Sequence, residues 1–399
     1  MKSFFKQYHS RQDKNSAKWL RMNELSDKIP KDCVPMTVAD MEFFSAPEII
    51  QGLKDYLDQT ILGYTVAGDG YLNAIINHYK DRYHVSIAKD EIVAISGVVG
   101  GLYLAIDAFS KQGDGVIIFP PVYPPFSSSV ENSKRHLMQC PLFLEDEKYQ
   151  IDFEALENLA KDDKAKLIIL CSPHNPSGRI WTKDELEKIA QIAKENDLIV
   201  ISDEIHSDLV LQDHHMTSFF NLDMDVSDFA IILGSASKTY NLAGLQTAHA
   251  LIKNKDLLVA FNQAMADIGS HGPNMLGLKA TELAYTKADE WLQGAKEVVE
   301  DNMARVRSLL EKYPDLFWIY PSEATYLMWV SFEGFARKFD MRDKEVMHYL
   351  YDHAFIAQAG IEFGQEGKYF MRVNVAMPSH KLEENLNRLQ EAIDKKINQ

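Results

Sequence analysis

The sequence predicts an α/β chain, with a doubly wound domain on a parallel or mixed sheet followed by a smaller α+β unit. Three observations carry that prediction. Short apolar, β-rich runs alternate with amphipathic helical segments between residues 91 and 252, the pattern of strands buried on both faces of a helix-covered sheet. Beyond Trp291 the texture changes to longer helical stretches with isolated strands. Small polar and glycine-rich residues recur just after the apolar runs, where open α/β sheets bind their ligands.

Composition narrows the function classes. With 399 residues, 46% hydrophobic and 25% charged, the chain has the make-up of a globular protein with a large core. Lys+Arg 42 against Asp+Glu 58 leaves a net charge of −16, so most of the surface repels phosphate backbones and anionic lipid. Nucleic acid and membrane are not expected partners. The first ten residues carry charges without an apolar core, and no later run approaches the roughly 18 apolar residues of a membrane span; a cytoplasmic protein is expected. Cys33, Cys140 and Cys171 are too few and scattered for a disulfide framework or a Cys-x-x-Cys site, and no His-x-x-x-His pairing occurs. No metal is expected.

In chain order, residues 1–47 read as an N-terminal arm and a segment associated with the smaller unit. Up to residue 32 the only apolar anchors are Phe4, Phe5, Trp19 and Leu20, so this part is expected outside the core. Cys33 to Phe44 is apolar around Asp40. The large domain is expected over 48–288. It opens with a helix from Ala46-Pro47, where Ile49, Ile50, Leu53 and Leu57 recur at helical spacing, and Leu62-Gly63-Tyr64-Thr65 follows as a turn.

The strands are expected at Ile92–Ile95, Gly115–Phe119, Lys166–Cys171, Leu198–Ser202, Phe229–Leu233 and Thr247–Ile252. After the first, Ser96 to Gly101 reads as a glycine-rich turn, with a helix opening at Leu102. Thr182-Lys-Asp-Glu185 is a capping box before the apolar face of Leu186, Ile189, Ala190 and Ala193. The smaller unit, over 289–399, holds a long helix through Val298, Val306 and Leu310, strands at Thr325–Val330 and Phe370–Val375, and a final helix over Ser379–Lys396.

The candidate site lies at the strand ends. After Cys171 comes Asn175-Pro-Ser-Gly178; after Ser202 comes Asp203-Glu-Ile-His206; after Leu233 comes Ser235-Ala-Ser237-Lys238; after Ile95 comes the glycine turn with Val98, Val99 and Gly100. An amide, a carboxylate, a lysine with two hydroxyls and a phosphate-type helix N-terminus describe one cofactor pocket, with Lys238 able to form a Schiff base with an aldehyde. Each piece has a plainer reading: Asp203, Ser235 and Ser237 as caps, Asn175-Pro176 as a turn, Tyr64 and Tyr123 as half-buried structural aromatics. Arg372 lies inside an apolar strand, where it needs a partner, whether an internal carboxylate or that of a ligand.

These residues resemble a known family. Asn175-Pro-x-Gly178, Asp203-Glu-Ile-His206, Ser235-x-Ser-Lys238 and the late Arg372 look like the fold type I, pyridoxal-phosphate-dependent aminotransferase class I/II superfamily. Val38-Ala-Asp-Met-Glu-Phe43, Leu62-Gly-Tyr-Thr65 and Cys171-Ser-Pro-His-Asn-Pro176 are similar to its C-S lyase branch, cystalysin and the related cystathionine β-lyases. The resemblance implies a mostly parallel seven-stranded sheet between helices and pyridoxal 5'-phosphate as cofactor. The implied activity is β-elimination of a sulfur-containing amino acid to pyruvate, ammonia and a thiol.

It also implies roles. Lys238 would carry the cofactor and move the substrate's α-proton; Asp203 would meet the pyridine nitrogen and Asn175 the ring oxygen; Tyr123 would stack on the ring; Arg372 and Ala39 would face the substrate. Val98, Val99, Gly100, Ser235 and Ser237 would hold the phosphate, helped by Tyr64 from the neighbouring subunit of a homodimer. Two departures stand out: Gln246 occupies a position where aminotransferases place a phosphate-binding arginine, and His206 stands where they carry a tyrosine. The lost arginine favours a lyase over the alternatives, an aminotransferase on the same scaffold or a regulatory binding protein that keeps the fold.

Overall fold

The computed structural model describes residues 3–26, 28–30 and 32–399; Met1, Lys2, Asp27 and Lys31 of the expected arm lie outside the described residues. The chain divides into two compact units. One comprises Ser45–Asn175 and Arg179–Asp289, the other Met1–Phe44, Pro176–Gly178 and Glu290–Gln399.

The first unit is organised on a seven-stranded sheet. Its strands are β1 Ile92–Ile95, β2 Gly115–Ile118 and β3 His136–Gln139, then, past a small hairpin of β4 Phe143–Glu145 and β5 Lys148–Gln150, β6 Ala165–Cys171, β7 Ile199–Asp203, β8 Ala230–Gly234 and β9 Ala248–Ile252. The spatial order is β1-β9-β8-β7-β6-β2-β3, with β9 antiparallel to both of its neighbours and the other strands parallel to one another.

Successive residues feed two cores. Ile231, Leu233, Ala250 and Ile252 pack with Leu102, Ile106, Phe126 and Phe261 on one face; Ile232, Leu251 and Ile92 pack with Tyr71, Ile75, Tyr79 and Leu278 on the other. Helices Val98–Phe109, Pro125–Asn132 and Lys255–Asp267 therefore cover the first face, and Asp69–Tyr83 and Met275–Lys287 the second. Burial on both faces is why the strands read as unbroken apolar runs.

Register sets the active edge. Cys171 pairs with Asp203, Asp203 with Leu233, Gly234 with His249 and Ile95 with Ala248, so the carboxyl ends of β6, β7, β8 and β1 stand along one border of the sheet. The helix after β1 begins at Val98 rather than at Leu102, with Gly97 as N-cap at φ 89°. Its glycines allow close packing: a Cβ on Gly101 would come within 2.6 Å of Ile95 Cδ1 and 3.1 Å of Leu233 Cδ2. The expected capping box is present at Thr182, whose side chain accepts from Glu185 N–H, and Leu186, Ile189, Ala190 and Ala193 are buried.

The second unit carries an antiparallel sheet in the order β10-β11-β13-β12, from β10 Trp318–Ile319, β11 Leu327–Ser331, β12 Gln358–Ala359 and β13 Phe370–Asn374. Helices Asp289–Leu310, Asp343–Asp352 and Ser379–Ile397 accompany it. The expected segment 48–288 is interrupted by Pro176–Gly178, because the amides of Glu323 and Ala324 donate to Gly178 O at 3.0 and 2.9 Å.

Two expectations are corrected. The first 32 residues are not a solvated arm: Ala17–Leu25 is a helix, and Phe5, Trp19 and Met22 are buried, although Leu20 is exposed. The segment's charges hid this, since Lys18 is itself buried against Asp40 and Glu42. In helix Pro47–Gln59, Ile49 is buried but Ile50 and Leu57 are exposed, as are Ile61, Leu62, Tyr64 and Val66 beyond it. No turn spans residues 62–65; Gly63 N–H donates to Ile61 O at 2.8 Å, a three-residue turn within an otherwise irregular stretch.

Candidate active site

The border of the large sheet gathers most of the expected cofactor residues. Asp203 is the last residue of β7, flanked by Cys171 and Leu233. Four residues past Cys171 stands Asn175, buried, with its N–H on Cys171 Sγ at 3.3 Å. Five past Leu233 stands Lys238, half-buried in the one-turn helix Ala236–Thr239. Tyr123 is half-buried beside Phe126, just before helix Pro125–Asn132.

Asp203 has the most altered environment of the group. Burial pushes its carboxyl up to about 7, while the Ile205 N–H and the Lys238 charge pull the other way. The Ile205 amide bonds Oδ1 at 3.1 Å. A carboxylate held out of water in this way is stabilised by a cationic N–H partner. A protonated ring nitrogen would be such a partner, and Lys238 is an amine within the same group of strand-end residues.

The phosphate end fits as well. At the start of helix Val98–Phe109 the first intrahelical bond from this turn is Gly101 N–H to Gly97 O, at 3.1 Å. The amides of Val98, Val99 and Gly100 therefore remain as donors for an anion. Space is open there, with no heavy atom within 4 Å of a Cβ built on Gly97 or Gly100. Ser235 behaves largely as the plainer reading has it: its Oγ caps Ser237 N–H at 3.0 Å and donates to Thr247 O at 2.6 Å. Ser237 is half-buried, with its Oγ 2.8 Å from Ser235 Oγ. His206 is buried in the loop after β7. Gln246 is exposed, in left-handed backbone at φ 47°.

Tyr64 does not join this group within its own chain. Its side chain is 110% exposed, so nothing of the same chain packs on it.

Arg372 and Ala39 belong to the second unit and are tied together there. Arg372 lies on β13, buried, with Nη2 on Thr37 O at 2.9 Å and on Gln358 Oε1, and its guanidinium 4.9 Å from the centre of the Phe363 ring. These partners are neutral. The Thr37–Glu42 loop is braced along its length: Tyr326 OH donates to Ala39 O at 3.0 Å, and Asn374 Nδ2 donates to Val38 O and Asp40 O at 2.8 and 2.7 Å. Burial acts to raise the Asp40 carboxyl, but Lys18 and Arg11 outweigh it and hold it at about 2. Sequence reasoning missed this brace, because Arg11 and Lys18 lie 19 or more residues before the loop and look like surface charges.

Comparison with known proteins places this arrangement. The sequence pattern of the family described as Aminotransferase class I and II matches residues 31–389. The chain is 35% identical to the cystathionine beta-lyase PatB of Bacillus subtilis, over 95% of this chain and 96% of that protein. It is 31% identical to the protein MalY of Escherichia coli, over 91% and 92%. Among solved structures, cystalysin from Treponema denticola, which contains pyridoxal 5'-phosphate, superposes with a TM-score of 0.94 at 37% identity, covering 98% of each chain. The pyridoxal-phosphate-bound C-S lyase from Staphylococcus hominis gives 0.89 at 29% identity, covering 97% of each.

Proposed function

The chain belongs to the aminotransferase class I and II family, and on that premise we propose that it is a pyridoxal-phosphate-dependent carbon–sulfur β-lyase acting on cystathionine or a related cysteine thioether. Full-length likeness to a cystathionine β-lyase and to two C-S lyases supports the activity. The observation that carries the chemistry is the buried Asp203, raised by desolvation at its strand end beside β8, the strand that leads into the Lys238 turn, which suits it to a pyridinium partner.

When bound, the cofactor supplies an electron sink conjugated to the substrate Cα. Asp203 would keep the ring nitrogen protonated, Asn175 would donate to the ring oxygen, and Tyr123 would stack on the ring. The amides of Val98, Val99 and Gly100 would hold the phosphate, assisted by Ser237. Arg372, buried on β13, would pair with the substrate carboxylate, since a guanidinium offers a planar fork of donors that matches it. Lys238 Nζ takes the proton from the substrate Cα. The Cβ–S bond then breaks, with the electron pair leaving on sulfur, and the 2-aminoacrylate set free hydrolyses to pyruvate and ammonia.

We also infer a homodimer in the cytoplasm. The exposed apolar run of Ile50, Leu57, Ile61, Leu62 and Val66 supports a second copy as its cover, with Tyr64 reaching the phosphate of that copy. Cys33, Cys140 and Cys171 are all buried free thiols, which suits a reducing compartment.

The test is incubation of the purified protein with cystathionine and no oxo acid. Stoichiometric pyruvate and thiol are expected, and both disappear in Lys238→Ala. Failure to release pyruvate, with amino transfer to an added oxo acid, moves the chain to the aminotransferases.

A further inference from the structure

Beneath the Lys238 turn lies a buried polar network that the reaction above does not use. Helix Asp69–Tyr83 presents His78, Tyr79, Arg82 and Tyr83 on one face, and His78, Tyr79 and Tyr83 are buried. His78, Arg82 and Tyr83 converge on Asp208, itself buried in the one-turn helix Ser207–Leu209, five residues past Asp203. Asp208 Oδ1 receives His78 Nε2 at 3.0 Å and the Tyr83 hydroxyl. Asp208 Oδ2 receives the Thr239 hydroxyl at 3.1 Å. Arg82 Nη1 stands 3.7 Å from the same carboxylate, and its other end pairs with Asp289. His78 is stacked on Tyr285, with ring centres 3.9 Å apart.

A second link runs beside the first. Tyr79 OH meets His249 Nε2 at 3.2 Å, and both press on Gly234, where a Cβ would come within 2.2 Å of the hydroxyl and 2.6 Å of the imidazole. The same helix thus touches the residue before Ser235 and, through Asp208, the residue after Lys238.

Two features set this network apart from ordinary packing. A buried charge cluster gives little net stability over apolar residues of the same shape, because desolvation offsets the attraction. And the carboxylate joins two loops that are adjacent only through the sheet: the one that continues from Asp203 and the one that carries Lys238. Thr239 is fully buried, and its hydroxyl gives the Lys238 turn a direct bond to that carboxylate. In a four-residue helix, fixing one side chain fixes the roll of its neighbour.

We propose that Asp208 and Thr239 are positioning residues that set the direction from which Lys238 Nζ meets the cofactor and then the substrate Cα, with His78, Arg82 and Tyr83 holding Asp208 in place. This rests on the reading of Lys238 as the cofactor lysine.

Thr239→Val keeps shape and volume and removes only the hydroxyl. In the holoenzyme, kcat for pyruvate release is expected to fall about 10- to 100-fold, the effect of a displacement near 1 Å, with KM within about twofold. The visible absorption band of the lysine-linked cofactor should shift, and the cofactor should dissociate faster on dilution. Thr239→Ser should restore all three, and Asp208→Asn should resemble Thr239→Val. A Thr239→Val enzyme with wild-type kcat, band and cofactor retention overturns the proposal. So does a loss that Thr239→Ser fails to rescue, since that marks packing alone. Lys238→Ala separates the two readings: if it keeps the band, the cofactor lysine is misassigned; if it loses the band while Thr239→Val is unchanged, only the positioning role falls.

Discussion

Asp203 shows how a single side chain records its function in its environment. Its folded-state carboxyl lies near 7 against an ordinary value of 3.8, with burial as the largest cause. In the cofactor-free protein the folded state therefore holds a proton that the unfolded chain has already released, so this group's contribution to stability falls as pH rises from about 4 to 7. Asp203→Asn, which does not titrate, should gain stability relative to wild type across that window, by up to about 4 kcal/mol at pH 8, at about 1.4 kcal/mol per pKa unit. The gain should shrink towards pH 4 and vanish in the holoenzyme if the ring nitrogen pairs with the carboxylate as proposed. Thermal unfolding of the cofactor-free proteins at pH 4, 6 and 8 checks this, and a pH-independent difference would count against it.

Arg372 makes the complementary case for substrate. Its guanidinium is buried and held by two neutral oxygens, and a lysine there cannot reproduce a two-bond fork to a carboxylate. Arg372→Lys should raise KM for the amino acid by about tenfold or more, a loss of 1.4 kcal/mol or above, with a smaller effect on kcat. Steady-state kinetics on cystathionine decide it.

At the level of elements, local chemistry explains some starts and misplaces others. Thr182 caps its helix as its spacing predicts, with Thr182 N–H on Glu185 Oε2 at 2.7 Å. Thr182→Ala should cost about 1 kcal/mol in urea unfolding and leave kcat unchanged, because the cap lies outside the cofactor and substrate contacts. The helix at Val98 shows the opposite situation. Its glycines have poor helical propensity, so Ser96 to Gly101 reads as a turn, yet the helix starts there because only glycine at 101 lets the backbone lie against Ile95 and Leu233. The early start is what leaves the Val98, Val99 and Gly100 amides without intrahelical acceptors, the arrangement that the proposed phosphate site needs. Packing here overrides propensity.

At the level of the whole molecule, the exposed apolar stretch around Ile61, Leu62 and Val66 is the feature that a single chain leaves unexplained. Sedimentation should find two chains per particle. Leu62→Asp should shift the particle towards one chain and, by withdrawing Tyr64 from its partner, weaken cofactor retention; a variant that stays paired with full retention would place the interface elsewhere.

Six of the seven strands of the large sheet, the cap at Thr182 and the identities of Asn175, Asp203, Lys238 and Arg372 could be read in order along the chain, because apolar runs and strand-end residues are local patterns; the edge strand β3 at His136–Gln139 could not, since it is short and partly exposed and carries no apolar run. The apolar character of the first 25 residues could not, since Lys18 and Arg11 look solvated until Asp40 and Glu42 are set against them. The sequence by itself determined an α/β sheet with a lysine, an aspartate and an asparagine at strand ends. Only the tertiary structure decided that β6, β7 and β8 align Cys171, Asp203 and Leu233 in one row, and that His78, Asp208 and Thr239 meet behind the lysine. The physical reason is separation: register and buried polar contacts join residues 30 to 160 positions apart, and desolvation, which gives Asp203 its altered carboxyl, exists only once those contacts have closed.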